Sequence, residues 1–331
     1  MNSFWTEVTL LVAGLLLIVK GGDLFVGAAV RLAEFLRMPR VVIGSTLVSL
    51  ATTTPELVVS VISGLEGASD LAVGNAVGSV ICNIGLILGV TAMIKHVDVH
   101  VKVLKAPLLV MFGAGALLFV MTWNLSLSRT HGVLLMLGGA TYFIWDFWRH
   151  WRYRTPENLQ EATAIEEDVG GTRFAWLQTK PGSVVQFIIG AVIVVFGSKI
   201  LVSGAIGLSV RLGIPPIIVG LTIVALGTSL PELVTAITSS RKSVSDLAVG
   251  NVLGANIANL TLVVGVAAVV QDVKLDRLTQ VFNFPAMLVI MAVLLWVLLT
   301  DRRVTRKEGV LLVALYASYL ALLTIITLCK A

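Results

Sequence analysis

TTTPELVVS at residues 52–60 recurs as TSLPELVTA at 228–236, and each copy sets one glutamate, Glu56 or Glu232, inside a strongly apolar stretch. An ionised carboxylate at bilayer depth costs about 2.5–3.5 kcal/mol on insertion scales, so it persists where it binds or pairs with something. Neither segment holds a basic residue. The expected partner is a cation from outside the chain.

The repeat extends well beyond this motif. An offset of 176 residues aligns 43–90 with 219–266 without a gap, giving 23 identities in 48 pairs. Gly44 then matches Gly220, Pro55 Pro231, Asp70 Asp246, Asn75 Asn251 and Asn83 Asn259, and upstream Gly21 matches Gly197 and Pro39 Pro215. The chain is 57% hydrophobic and 13% charged, with mean hydropathy +0.96, so it has too little polar surface to cover a soluble globule. Ten apolar stretches lie near 8–30, 41–64, 70–94, 106–123, 131–148, 184–207, 215–239, 246–270, 280–300 and 309–328. Each is close to the roughly 20 residues that cross about 30 Å of hydrocarbon. The expected fold is an all-α polytopic membrane protein of ten transmembrane helices. Five spans per half is an odd number, so the second half enters the membrane upside down. The chain divides into a first inverted repeat, 1–148, a linker loop, 149–183, and a second inverted repeat, 184–331. Repeats of this kind typify secondary transporters, with the substrate held near the midplane where the halves meet.

Basic residues fix the orientation. Taking alternate connections, 17 of the 24 Lys and Arg fall on one side, and the other side holds only Arg129, Arg211, Lys274, Arg277 and Lys330. Cytoplasmic loops carry such an excess, so the 149–183 loop is expected in the cytoplasm and both termini outside it. The net charge of +5 is this asymmetry and gives no reason to expect nucleic-acid binding. The first span lacks a basic flank and a cleavage site and reads as a retained helix. Cys82 and Cys329 are too few and too far apart in the chain for a disulfide framework. The acidic run Glu166, Glu167 and Asp168 reads as solvated linker. Membrane lipid is the expected surrounding, with no obligate protein partner and no cofactor.

The chemistry around the glutamates suits a hard cation. Pro55 cannot donate to the Ala51 carbonyl and disturbs the turn at Thr52; Pro231 does the same at Gly227 and Thr228. Carbonyls freed at membrane depth are tolerated where they line a cavity, and there they can ligate an ion. The spans that follow, with GNAVGSVICN at 74–83 and GNVLGANIAN at 250–259, bring Ser79, Asn83 and Asn259 as neutral oxygens. Calcium takes 6–8 oxygen ligands including carboxylate, which this inventory can supply. Gly74, Gly78, Gly250 and Gly254 read as close-packing positions. Asn75 and Asn251 read as interhelical hydrogen-bond formers, and Asp23 and Lys20 as a structural pair or snorkelling residues.

With ALGTSLPELVTA at 225–236 and SLATTTPELVVS at 49–60, the chain resembles the sodium/calcium exchangers of the cation/calcium exchanger superfamily in their compact prokaryotic form. The resemblance covers essentially the whole chain. It implies a central calcium position using the carboxylates of Glu56 and Glu232 and the carbonyls of Thr52 and Thr228. It implies flanking sodium positions using Thr52, Ser79, Glu56 and the Ser49 carbonyl in one half, and Thr228, Glu232 and the Ala225 carbonyl in the other. Asn83 and Asn259 complete the middle. Ala51, Thr53 and Thr54 depart from the usual Gly, Ser and Leu, and Ala255 stands where a serine hydroxyl is expected.

The resemblance further implies an antiporter in the cytoplasmic membrane, with calcium and sodium as transported ions. Charge balance agrees with exchange: two carboxylates match one calcium or two sodium ions, whereas an empty occluded site would bury two unpaired charges. The nearest alternative is a proton-coupled calcium or other divalent cation antiporter. A remoter one, an intramembrane hydrolase with two carboxyls as acid and base, explains the acid pair but not the repeat.

Overall fold

The computed structural model describes residues 4–65, 69–98, 101–152, 176, 179–211, 225–242, 244–300 and 303–330. Most of the 149–183 loop, with its acidic run, and residues 215–224 of the seventh apolar stretch lie outside these. In chain order the helices are α1 (Phe4–Leu36), α2 (Arg40–Ile43), α3 (Ser49–Thr52), α4 (Thr54–Leu65), α5 (Ser69–Cys82), α6 (Gly89–Ile94), α7 (Val101–Met121) and α8 (Arg129–Arg152). The second half supplies α9 (Lys180–Arg211), α10 (Ala225–Thr228), α11 (Leu230–Arg241), α12 (Ser245–Ala258), α13 (Val264–Val270), α14 (Phe284–Thr300) and α15 (Arg306–Lys330). Wider π-helical turns join several of them, at Gly44–Val48, Asn83–Leu88, Asn259–Val263 and Thr279–Asn283.

Among the described residues, eight continuous or π-interrupted helices are long and apolar enough to cross a membrane. The fifth expected span falls on α8, whose ends are charged, and the described part of the seventh is α10 with α11. The first span is longer than its hydropathy suggests. At 33 residues α1 is about 50 Å long, more than a bilayer core requires. Its charged residues are accommodated by neighbours. Arg31 donates to Gln186 Oε1 at 2.6 Å and to Ser183 Oγ at 3.3 Å, while Asp23 faces Lys242 rather than Lys20, at 3.8 Å.

The packing of α1 on α9 displays the inversion directly. These helices are equivalent under the 176-residue offset, and small residues let them approach closely. Gly14 abuts Leu201 and its counterpart Gly190 abuts Phe25; Gly21 abuts Ile193 and its counterpart Gly197 abuts Leu17. Partner numbers fall as residue numbers rise, so two equivalent helices run antiparallel. Glu7 and Arg211 close one end of the pair as an ion pair. The short strands repeat the theme: β1 (Val97–Asp98) pairs antiparallel with β4 (Arg303–Val304), and β2 (Ser126–Leu127) with β3 (Val273–Lys274). Each ribbon joins a connection of one half to a connection of the other.

The core is densest around α12, where residues from Leu247 to Ala258 are buried on every face. Gly250 and Gly254 lie against the backbone at Val41 and Ser45, so they pack as their spacing suggests. Gly74 and Gly78 do not do so among the described residues: nothing lies within 4 Å of a side chain placed there. The offset equivalents of Val41 and Ser45, residues 217 and 221, lie outside the described set.

Candidate functional site

Both PEL motifs break a helix at the same point. Thr53 (φ −77°, ψ −1°) and its counterpart Ser229 (φ −90°, ψ 8°) share a backbone conformation that α-helices avoid. The prolines explain it. Pro55 and Pro231 lack an N–H and fit only the first turn of a new helix, so α4 and α11 begin there. Glu56 and Glu232 consequently stand in the first turn of a half-helix, at the positive end of the helix dipole. Both are fully buried.

The two halves then hold each other's glutamates. Ser229 Oγ lies 3.4 Å from Glu56 Oε1, and Thr53 Oγ1 lies 3.5 Å from Glu232 Oε1. A second crossed pair lies beside the first: Thr52 Oγ1 donates to Asn251 Oδ1 at 3.1 Å, and Thr228 Oγ1 to Asn75 Oδ1 at 3.5 Å. Asn75 and Asn251 thus make the interhelical bonds expected of them. Ser79 joins through Ser229, 3.4 Å away, and Asn83 donates to Asn256 Oδ1 at 3.0 Å. The Ser49 carbonyl accepts the Thr53 N–H at 2.9 Å and lies 3.3 Å from the Thr52 hydroxyl. Ala225 opens α10, one turn before the second break.

What remains unbonded defines the chemistry. Among the described residues, Glu56 Oε2, Glu232 Oε2, Asn83 Oδ1 and Asn259 Oδ1 are buried and have no hydrogen-bond partner. Buried polar atoms are nearly always satisfied, and an unsatisfied set demands a reason. Four oxygens, two of them carboxylate, match the ligand preference of a hard cation such as calcium. Asn83 and Asn259 each begin a π-turn, a distortion that recurs at functional sites because it redirects side chains.

Four further polar residues were given no role by the sequence alone: Thr53, Ser229, Asn256 and Asp146. Thr53 and Ser229 are adjacent to the motif threonines, and their shared hydroxyl at one repeat position was the available signal. Asn256 has no symmetry mate of its kind. Asp146 is a buried carboxylate on α8 that accepts from Ser45 Oγ at 3.3 Å and lies 3.5 Å from His150 Nδ1. Of the departures, Ala255 is fully buried, so no hydroxyl mirrors Ser79 in the second half.

An inverted helical membrane fold centred on two buried carboxylates defines a transporter of cations. A family model described as sodium/calcium exchanger protein matches residues 6–147 and again 182–325, one match on each half. The chain belongs to the sodium/calcium exchanger family and is a multi-pass membrane cation/calcium exchanger, which sets the hydrolase alternative aside. Sodium/calcium exchanger MaX1 of Methanosarcina acetivorans is 30% identical, over 95% of this chain and 97% of that protein. Inner membrane protein YrbG of Escherichia coli is 34% identical, over 95% of each. A solved structure of the sodium-calcium exchanger NCX_Mj, soaked with zero Na+ and Ca2+, matches with a TM-score of 0.81 at 27% identity, over 97% of this chain and 100% of that one.

Proposed function

We propose that this protein exchanges sodium for calcium across the cytoplasmic membrane by alternating access, with both termini outside the cytoplasm. Residues 1–148 and 184–331 are the two repeats that move about the shared site, and 149–183 is the cytoplasmic linker. Calcium binds between Glu56 and Glu232 with the Thr52 and Thr228 carbonyls, and Asn83 and Asn259 close the middle. Sodium takes flanking positions at Ser49, Thr52 and Ser79 with Glu56, and at Ala225 and Thr228 with Glu232.

One observation carries the reading: each glutamate has one oxygen held by the opposite half and one without a partner among the described residues. The held oxygen keeps the carboxylate oriented, and the other is available to an ion. A conformation without cargo leaves two charges uncompensated in a dry interior, so reorientation is favoured when the site is loaded. That constraint produces exchange rather than leak.

Proton coupling remains the second reading, favoured by the missing hydroxyl at Ala255. Calcium uptake into proteoliposomes under an imposed sodium or proton gradient separates the two. Sodium loaded inside is expected to drive calcium in at constant pH. Uptake driven by a proton gradient in the absence of sodium would replace the sodium reading with the proton one.

A further inference from the structure

One repeat position packs an apolar side chain in the first half and an amide in the second. Val80 and Asn256 are related by the 176-residue offset, and both are fully buried. A valine thus satisfies the packing at this position, whereas a buried amide is costly unless bonded. Asn256 uses both polar atoms: Nδ2 donates to Met111 Sδ at 3.4 Å, and Oδ1 accepts from Asn83 Nδ2 at 3.0 Å.

The direction of these bonds follows from chemistry. A thioether sulfur accepts and cannot donate, so Met111 selects the NH2 end of Asn256. Asn256 then offers its oxygen to Asn83 and selects the NH2 end of that amide. The Asn83 oxygen is thereby turned away from Asn256, and it is buried without a hydrogen-bond partner among the described residues. For Asn259 the offset puts Val80 at the position equivalent to Asn256, and neither of its amide atoms has a hydrogen-bond partner among the described residues.

We propose that Met111 and Asn256 form a relay that commits Asn83 Oδ1 to cation ligation, while the Asn259 amide is free to turn. Asn256 is a positioning residue acting through Asn83. The inference rests on Asn83 being a ligand, as proposed above. A ligand already held in its binding orientation loses less freedom when the ion arrives, so the relay raises calcium affinity.

A double-mutant cycle tests it, read as calcium-dependent thermal stabilisation of the purified full-length protein, which reports binding and needs no coupling ion. Asn256→Val installs the side chain its symmetry mate already carries and is expected to weaken calcium about three- to tenfold. Asn83→Ala weakens it at least as much, and the double variant is no weaker than Asn83→Ala alone. Met111→Leu keeps the volume and removes only the acceptor; a smaller loss is expected, and none in the Asn83→Ala background. This variant decides the matter should Asn256→Val fail to fold. Independent effects multiply, so a double variant showing the product of the single losses would overturn the relay. Unchanged affinity in both Asn256→Val and Met111→Leu would overturn it too. Failure of sodium-driven uptake with an intact cycle would refute only the coupling, whereas a wild-type protein not stabilised by calcium would refute the relay together with its site.

Discussion

Ser229 Oγ and Glu56 Oε1 lie 3.4 Å apart although the two residues belong to opposite repeats, and the equivalent Thr53 and Glu232 are related in the same way. Each half thus fixes the charge carried by the other. Ser229→Ala removes the hydroxyl donor that Glu56 receives from the opposite half. At 3.4 Å the contact is longer than a short charge-assisted bond, so an ordinary polar contact's contribution of about 0.5–1.5 kcal/mol applies and the half-maximal calcium concentration for exchange should rise a few-fold. Thr53→Val should have a similar but smaller effect, because Ser229 also bridges to Ser79, whereas the equivalent of Ser79 in the other half is Ala255, which has no hydroxyl. Titrations of exchange rate against calcium would show both.

Ala255→Ser restores the hydroxyl present at Ser79 and should strengthen sodium. An ordinary polar contact of about 0.5–1.5 kcal/mol lowers the half-maximal sodium concentration by a few-fold. Calcium dependence should change less, since the added oxygen lies on the flank. Sodium titration of calcium efflux in the two proteins is the check, and an unchanged sodium dependence would contradict a flanking sodium site there.

Gly250→Ala should lower the thermal midpoint of the protein. A methyl group at this position runs into the Val41 carbonyl oxygen, which belongs to backbone and cannot rotate aside. Overpacking of this kind costs about 1–3 kcal/mol. A midpoint equal to that of the parent protein would mean that α12 and the α2 segment can separate without loss.

Labelling of single-cysteine probes from outside the cell should modify Ser3→Cys and leave Thr163→Cys untouched if the proposed orientation, drawn from the 17 to 5 division of basic residues, holds. The native cysteines are first replaced. The opposite pattern would reverse the proposed orientation.

Much of this was legible because identical residues recur at one offset. Pro55 and Pro231 announce the broken helices, and Glu56 and Glu232 announce the charge. The antiparallel packing of α1 on α9 follows from an odd number of spans per half. Comparison of repeats is blind where they differ. Asn256 stands opposite Val80, so the repeat gives no signal for it, and only the approach of Asn83 reveals its use. The length of α1 was hidden for another reason. Lys20, Asp23 and Arg31 depress its hydropathy, and the neighbours of Asp23 and Arg31, namely Ser183, Gln186 and Lys242, lie more than 150 residues away in sequence. The crossed hydroxyls of Thr53 and Ser229 depend on the register between two half-helices, which no local pattern encodes.

Calcium exchange by Glu56→Gln and Glu232→Gln tests the central claim most directly. Each substitution preserves the shape of the side chain and removes one of the two central charges, leaving a site that balances one positive charge instead of two. Both variants should insert and fold, with thermal midpoints near that of the parent, and neither should exchange calcium above the level of empty liposomes. Calcium exchange near the parent rate in either variant would contradict the assignment of these glutamates as the cation site.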